Sequence, residues 1–171
     1  MNEPEAIFPK GEQGPAETFT GKAWHYALVP NDSTFNTVVG NVYFEPGARS
    51  NWHSHPSGQI LVITDGVGYH QIEGGPIETI RKGDVVKCPP NVRHWHGASA
   101  DTGLQQLYIV PNTERGIVHW EGAVPRRVGA LRGSAYGPAA TSGRVHGAER
   151  LARPGQFFLG AHALLRRDFR R

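Results

Sequence analysis

The sequence predicts an all-β fold with many turns, and three observations lead to this. Glycine (22 residues) and proline (13 residues) are abundant in a chain of 171 residues, and both residue types favour turns. Before residue 150, long stretches with the apolar period of a helix are missing. Short runs of β-branched and aromatic residues, separated by turn residues, take their place. A chain of this length fits a single domain.

About eight or nine strands are predicted after a polar N-terminal arm at residues 1–20. They are Trp24–Val29, Phe35–Phe44, Gln59–Thr64, Gly68–Ile72, Ile77–Arg81, Asp84–Cys88, Arg93–Gly97 and Leu104–Val110. In the second strand, alternate residues over Val38–Phe44 are apolar or glycine, so we place that face inside. The run Ile60–Ile63 is continuously apolar, which is typical of a strand buried on both faces. A turn at Asp65-Gly66 is expected to end it.

Four histidines and a glutamine, all of residue types that can bind metals, lie in two short segments that begin with glycines. In order, the segments contain Gly47, His53, His55, Gln59 and Gly66, then Gly83, Pro89, His94 and His96. Alternation along a strand places His53 and His55 on one face, and a turn at residues 56–58 can bring Gln59 beside them. A His-x-His pattern alone is more simply explained by two half-exposed histidines, but the second segment favours metal binding. Three imidazoles and an oxygen donor suit manganese, iron, nickel or zinc.

The two segments resemble the two motifs of the cupin superfamily. There the first motif is Gly, five residues, His-x-His, three or four residues, Glu, six residues and Gly; the second is Gly, five residues, Pro-x-Gly, two residues, His, three residues and Asn. This chain has Gln59, Asn91 and Ala98 where glutamate, glycine and asparagine are usual. Gln59 keeps an oxygen donor but removes a negative charge, and Asn91 tolerates a left-handed turn. The resemblance implies a jelly-roll barrel, the double-stranded β-helix of cupins, over residues 21–125.

Further similarity extends from about Gly14 to about Trp120. It links the chain to bacterial cupins that include manganese-dependent hydroxynitrile lyases and carboxymuconolactone-decarboxylase-associated cupins. The matching segments are Phe44–Arg49, Trp52–Pro56, Gly58-Gln59, Gly83–Val86 and His94–Ala98. This resemblance implies a divalent metal, manganese first and iron, zinc or nickel as alternatives. The implied ligands are His53, His55, Gln59 and His94. The lyases carry a histidine at the position of Gln106.

A small, mostly apolar pocket is expected beside the metal. Its predicted walls are Gly40, Val42, Leu104, Tyr108 and Val110. His96 shares a face with His94 and is expected to shuttle a proton, although a structural histidine bonded to a carbonyl is the alternative. Gln106 is expected to orient the substrate. The predicted function is a metal-dependent lyase acting on a small carbonyl or hydroxyl compound, with an Fe(II) dioxygenase and a non-catalytic metal-binding module as alternatives.

The last 46 residues differ from the rest in charge and composition. Residues 126–171 hold 10 arginines and 2 acidic residues, whereas residues 1–125 hold 8 basic and 13 acidic residues. Few apolar residues occur between Pro125 and Pro154, so we predict a largely disordered tail. A basic arm for nucleic acid is one interpretation. A read-through or frame-shifted extension is the other, and the composition favours it, so nucleic acid is not an expected partner.

The remaining features indicate a cytoplasmic protein without a membrane partner. No apolar run is long enough to span a membrane, and residues 1–10 lack the layout of a signal peptide. Cys88 is the only cysteine, which excludes an internal disulfide, and we expect it to be a packed apolar residue. Histidines outside the two motifs, His25 among them, are assigned to the surface or core. The expected partners are a small-molecule substrate and a second copy, pairing through the strand around Trp24 and Tyr26.

Overall fold

The computed structural model describes residues 7–125 and Val145–His146. Its strands are β1 Glu12–Gln13, β2 Phe19–Thr20, β3 Ala23–Val29, β4 Thr37–Phe44, β5 Arg49–Ser50, β6 His53–Ser54, β7 Gln59–Ile72, β8 Glu78–Arg81, β9 Val85–Cys88, β10 His94–Ala98, β11 Leu104–Pro111, β12 His119–Trp120 and β13 Val145–His146. One 3-10 turn lies at Thr113–Arg115. The all-β class predicted from the sequence is confirmed.

The strands form one curled sheet whose two halves share β7. One half has the order β1-β3-β4-β11-β7-β9-β13, and the other contains β2, β5, β6, β8, β10 and β12 around the far end of β7. Every pairing is antiparallel except that of β13 with β9. The curl turns one face of the sheet inwards, and that face carries the core and the candidate site.

The turn predicted at Asp65-Gly66 is wrong, because β7 continues through it as a single strand of 14 residues. The first part of β7 pairs with β11 and β9, and the second part with β10 and β8. The change of partner requires a bend, which a bulge near Thr64 and the positive φ of Gly66 (81°) provide. Gly66 also permits close packing, since a Cβ there would lie 1.9 Å from the oxygen of Gly103.

The inward face predicted for β4 is confirmed, because alternate residues from Val38 to Phe44 are buried. The main core cluster consists of Ala23, Val42, Phe44, Ala48, Leu61, Ile63, Ile80, Val86, Cys88, Ala98 and Leu104. Cys88 is buried and burial raises the pKa of its thiol, as expected for a packed residue rather than a nucleophile. The first part of β7 is buried on one face only, since Ile60 points outwards and is 36% exposed.

Two segments close the barrel around the candidate site. From the N-terminal segment, which we expected to be an arm, β1 pairs with β3 and β2 pairs with β5. After the last long strand, β12 pairs with β6, and Val124 is buried against Tyr69 and Trp95. The Arg49 guanidinium donates a hydrogen bond of 3.0 Å to the Val124 carbonyl. Both ends of the domain therefore contribute to the surroundings of the histidines.

The tail at residues 126–171, for which we predicted disorder, lies outside the described residues except for β13. In the part of the chain that the structure describes, no helix has the length and apolar character to cross a membrane.

Candidate metal centre

The four predicted ligands lie together at the inner end of three strands. His53 begins β6, His94 begins β10, and the two residues pair across the antiparallel ladder, with ring centroids 4.3 Å apart. His55 follows β6, and its ring lies 5.2 Å from that of His53 and 5.5 Å from that of His94. Gln59 begins β7, and its Oε1 lies 3.2 Å from Nε2 of His94. All four side chains are buried.

Two turns bring these residues together. The turn expected at residues 56–58 is present: Gly58 has a φ of 80°, and its N–H donates to the His55 carbonyl over 3.1 Å. Asn91 has a φ of 59°, the left-handed conformation for which the cupin motif normally uses glycine. The N–H of Asn91 also donates to the His55 carbonyl, over 2.8 Å. The loop of the second motif is thereby tied directly to the first.

Backbone carbonyls set the tautomer of the three histidines. Their Nδ1 atoms lie 2.9, 2.6 and 2.9 Å from the carbonyl oxygens of Asn51, Ile117 and Val92, for His53, His55 and His94 respectively. A carbonyl oxygen can only accept, so each Nδ1 carries the proton and each Nε2 keeps a lone pair. Histidines that bind metals are typically oriented by such a contact on their other nitrogen.

The lone pairs of His94 and Gln59 meet without a proton to share. Nε2 of His94 faces the Gln59 oxygen, and both are acceptors in this tautomer. Nε2 of His55 is buried and has no hydrogen-bond partner within residues 7–125. Burial lowers the pKa of His94 to about 4 and lowers those of His53 and His55 as well, so the rings are neutral near pH 7. Buried acceptors without donors are costly, and a divalent cation would satisfy them. The residues present therefore fit a metal ion.

His96 also belongs to this cluster. The candidate ligand atoms of His53, His94 and His96 all lie within 4.8 Å of one another, and the predicted ligand His55 is outside this group. Nδ1 of His96 lies 2.9 Å from the amide nitrogen of Gln106. Since an amide nitrogen only donates, Nδ1 accepts and Nε2 carries the proton. Burial, reinforced by the neighbouring histidines, holds the pKa of His96 well below its usual value. In this orientation of Gln106, His96 is a neutral hydrogen-bond donor.

A cavity of about 400 Å³ opens from the histidines to the surface. His53, His55, Gln59 and His96 contribute to its lining, as do Val42, Tyr108 and Val110 among the predicted walls. Four of the predicted site residues do not line it: the ligand His94, the wall residues Gly40 and Leu104, and Gln106. Gly40 lies beneath the ring of Tyr108, Leu104 belongs to the core, and Gln106 is 0% exposed and contacts His96.

The sequence did not indicate three parts of the cavity wall. His25 on β3 lines it, although it was assigned to the surface or core. Phe19 and Trp120 line it from the two closing segments, with ring centroids 5.8 Å apart, and Trp120 lies 4.9 Å from the ring of His53. Alternation could have placed His25 on the face of Ala23, but only the pairing of β3 with β4 shows that this face points inwards.

This barrel, with histidines at its inner end, is a cupin. The family model described as Cupin domain matches residues 40–110, and the chain belongs to this family. It is 42% identical over 108 residues to (R)-mandelonitrile lyase of Granulicella tundricola, a match that covers 63% of this chain and 82% of the relative. The expected resemblance to hydroxynitrile lyases is therefore confirmed.

Two solved structures have a fold similar to that of this chain. A cupin-like protein from Thermotoga maritima MSB8 is 46% identical, with a TM-score of 0.71, and the match covers 72% of this chain and 93% of that one. The DMSP lyase DddQ from Ruegeria pomeroyi DSS-3 is 20% identical, with a TM-score of 0.52 over 67% of this chain and 59% of that one. The second likeness shows a shared fold alone.

Proposed function

We propose that this protein is a metal-dependent lyase that cleaves or forms a small cyanohydrin, as a hydroxynitrile lyase does. The observation that carries the proposal is a buried set of three histidines, each with Nδ1 against a carbonyl, and one amide oxygen beside an apolar cavity. A small molecule entering the cavity would meet the metal directly. The 42% identical relative, named (R)-mandelonitrile lyase, supports the reaction class.

The metal would be held by His53, His55, Gln59 and His94. A divalent cation there supplies a Lewis acid that polarises the oxygen of the substrate. With neutral ligands throughout, the site keeps the full charge of the cation, which favours that chemistry. We propose manganese, with iron, zinc and nickel as alternatives that the same donors suit.

The other residues around the cavity would bind and orient the substrate. Phe19 and Trp120 present aromatic rings to the cavity, and such surfaces suit an aryl group. Val42 and Val110 would exclude water from the reacting atoms. The Nε2–H of His96, buried and without a partner among the residues described here, would donate a hydrogen bond to the departing cyanide. Gln106 would hold His96 in the donor tautomer by donating to Nδ1.

The test is turnover of racemic mandelonitrile by the manganese-loaded protein, followed by the absorbance of benzaldehyde. Elemental analysis of the same sample gives the metal content. His55→Ala is the matched control, because it removes one proposed ligand and leaves the aromatic and aliphatic wall residues in place. Full metal occupancy without cleavage of cyanohydrins would reject the proposal.

An Fe(II) dioxygenase is the second candidate, because the same three histidines and one oxygen donor suit iron. Oxygen uptake by the iron-loaded protein, absent with manganese, would identify it. Metal loading without turnover of carbonyls, cyanohydrins or diols would leave a non-catalytic metal-binding cupin.

We also propose three segments in a cytoplasmic homodimer: an N-terminal arm at residues 1–20, which adds β1 and β2 to the sheet, a barrel at 21–125, and an Arg-, Ala- and Gly-rich tail at 126–171. The dimer would form through β3, because β1 pairs only with Trp24 and His25 on that strand. Beyond them, Tyr26 is 38% exposed and the edge of β3 is open within the described chain. Size-exclusion chromatography with light scattering tests this.

A further inference from the structure

A tyrosine and a histidine meet across a glycine in the cavity wall. On the inward face of the sheet, Tyr108 of β11 pairs with Gly40 of β4, and β4 pairs in turn with β3, which carries His25. The ring of Tyr108 lies over Gly40, since a Cβ there would be 2.5 Å from Oη and 2.6 Å from two ring carbons. The ring thus crosses β4 and places Oη 2.5 Å from Nε2 of His25. The two rings are stacked, with centroids 5.6 Å apart.

Both residues line the cavity that contains the histidine cluster. Burial raises the pKa of the Tyr108 hydroxyl, so it is a protonated phenol near pH 7. Burial lowers the pKa of His25, although the charge of Glu12 acts in the opposite direction, so its ring is neutral there. In a neutral pair of this kind, either the Tyr108 hydroxyl or the Nε2–H of His25 can be the donor of the hydrogen bond between them.

The two arrangements present different groups to the cavity. If Tyr108 donates to Nε2 of His25, the phenol oxygen can accept a hydrogen bond from a ligand hydroxyl. If Nε2–H of His25 donates to the phenol oxygen, the hydroxyl of Tyr108 can donate to a ligand carbonyl. A cyanohydrin carries a hydroxyl and its aldehyde a carbonyl, so the pair can match both ends of a reversible cleavage.

We propose that Tyr108 and His25 form a proton relay, in which Tyr108 contacts the oxygen of the substrate and His25 accepts the proton of Tyr108. This inference rests on the proposed lyase function. The hydroxyl proton of the cyanohydrin passes to the Tyr108 oxygen while the proton of Tyr108 passes to Nε2 of His25. The electron pair of the former O–H bond forms the carbonyl, and the C–CN bond breaks with its pair on cyanide. The proton then returns through Tyr108 to cyanide, so aldehyde and hydrogen cyanide leave and His25 is neutral again.

Glu12 is placed to support the charged intermediate of this relay. It lies opposite His25 in the pairing of β1 with β3 and lines the same cavity. Its carboxylate would stabilise the imidazolium that exists while the proton resides on His25. Tyr108 is therefore a catalytic residue in this proposal, and His25 acts through it.

The first measurement is equilibrium binding of benzyl alcohol, which has the hydroxyl but no cyanide to lose, to the manganese-loaded protein by calorimetry. Tyr108→Phe keeps the ring over Gly40 and removes the contact, so binding should weaken about five- to tenfold. Tyr26→Phe, on the outer face of β3, is the matched control and should bind like wild type. Equal affinities for Tyr108→Phe and wild type would show that the Tyr108 hydroxyl does not contact the ligand, and the proposal would be wrong.

The second measurement is mandelonitrile cleavage by His25→Gln. Glutamine can still accept a hydrogen bond from Tyr108 but cannot take up its proton. Benzyl alcohol affinity and KM should stay within about twofold of wild type, while kcat should fall about a hundredfold, the lower range for loss of a proton-transfer group. A kcat equal to that of an active wild type would overturn the relay alone. A wild type that binds benzyl alcohol but cleaves no mandelonitrile would reject the lyase function and the relay with it.

Discussion

Gly40→Ala should destabilise the protein, although alanine is normally favoured over glycine. A Cβ at this position would lie 2.5 Å from Oη of Tyr108 and 2.6 Å from its ring carbons, so the ring must move by about 1 Å to reach ordinary contact. Overpacking of this kind costs about 1–3 kcal/mol, and loss of the hydrogen bond to His25 costs about 1 kcal/mol. Alanine also lowers the conformational entropy of the unfolded chain, which stabilises the folded state by about 0.4–1 kcal/mol. The net loss should be about 2 kcal/mol, or about 4–8 °C in Tm for a chain of this size.

The assay is urea unfolding of the metal-loaded protein, followed by tryptophan fluorescence. Gly122→Ala is the matched control, because a Cβ there meets nothing within 4 Å and the residue has no positive φ. A double-mutant cycle with Tyr108→Ala isolates the contact, since the cost of Gly40→Ala should vanish once the ring is gone. If Gly40→Ala is as stable as Gly122→Ala, or if its cost persists without Tyr108, the ring does not occupy the space over Gly40.

Four further predictions concern the metal site and the chain ends. Alanine at any of the three histidines of the metal set should remove most bound metal in elemental analysis, whereas Gln59→Ala should lose less because water can replace a neutral oxygen donor. Truncation after Pro125 should leave metal content and fold intact, with a Tm close to that of the full chain. Burial lowers the pKa of His94 to about 4, below the value of about 6.5 in the unfolded chain, so the unfolded state binds protons that the folded state does not. The free energy of unfolding of metal-free protein should therefore fall as the pH drops from about 6.5 towards 4, as measured by urea unfolding. Gln106 contacts His96 behind the cavity wall, so Gln106→His should act through that ring and raise mandelonitrile cleavage by about ten- to a thousandfold, on the scale of an added general base; an unchanged rate with metal still bound would contradict this.

Local patterns predicted most of the strands because alternation and turn residues are local signals. The inward face of β4 followed from alternating apolar residues, and the grouping of the four ligands followed from motif spacing. The turn at Gly66 was wrong because a positive φ serves a bend within a strand as well as a turn between strands. Which of the two occurs depends on the partners of β7, and these lie up to 49 residues away, in the pairing of Ile60 with Ile109 on β11.

The contribution of His25 to the cavity could not be predicted for a related reason. The position of His25 depends on the register of β3 against β4. Its contact with Tyr108 depends on Gly40, which has no side chain and lies on the strand between them. Gly40 could be placed on the inward face from the sequence, but the space above it is filled by a residue 68 positions later. Such contacts form only when the barrel closes, so the sequence near each residue does not indicate them.

The hydrogen bond from His55 to the Ile117 carbonyl has a consequence for how the protein matures. Its partners are 62 residues apart, so a ribosome releases His53, His55 and Gln59 well before the carbonyl that fixes the ring of His55. Until the segment at residues 117–124 docks, that ring is free to rotate and to exchange tautomers. In the metal site that we propose, tight binding would therefore need the complete domain, because the segment that orients His55 is synthesised after the predicted ligands.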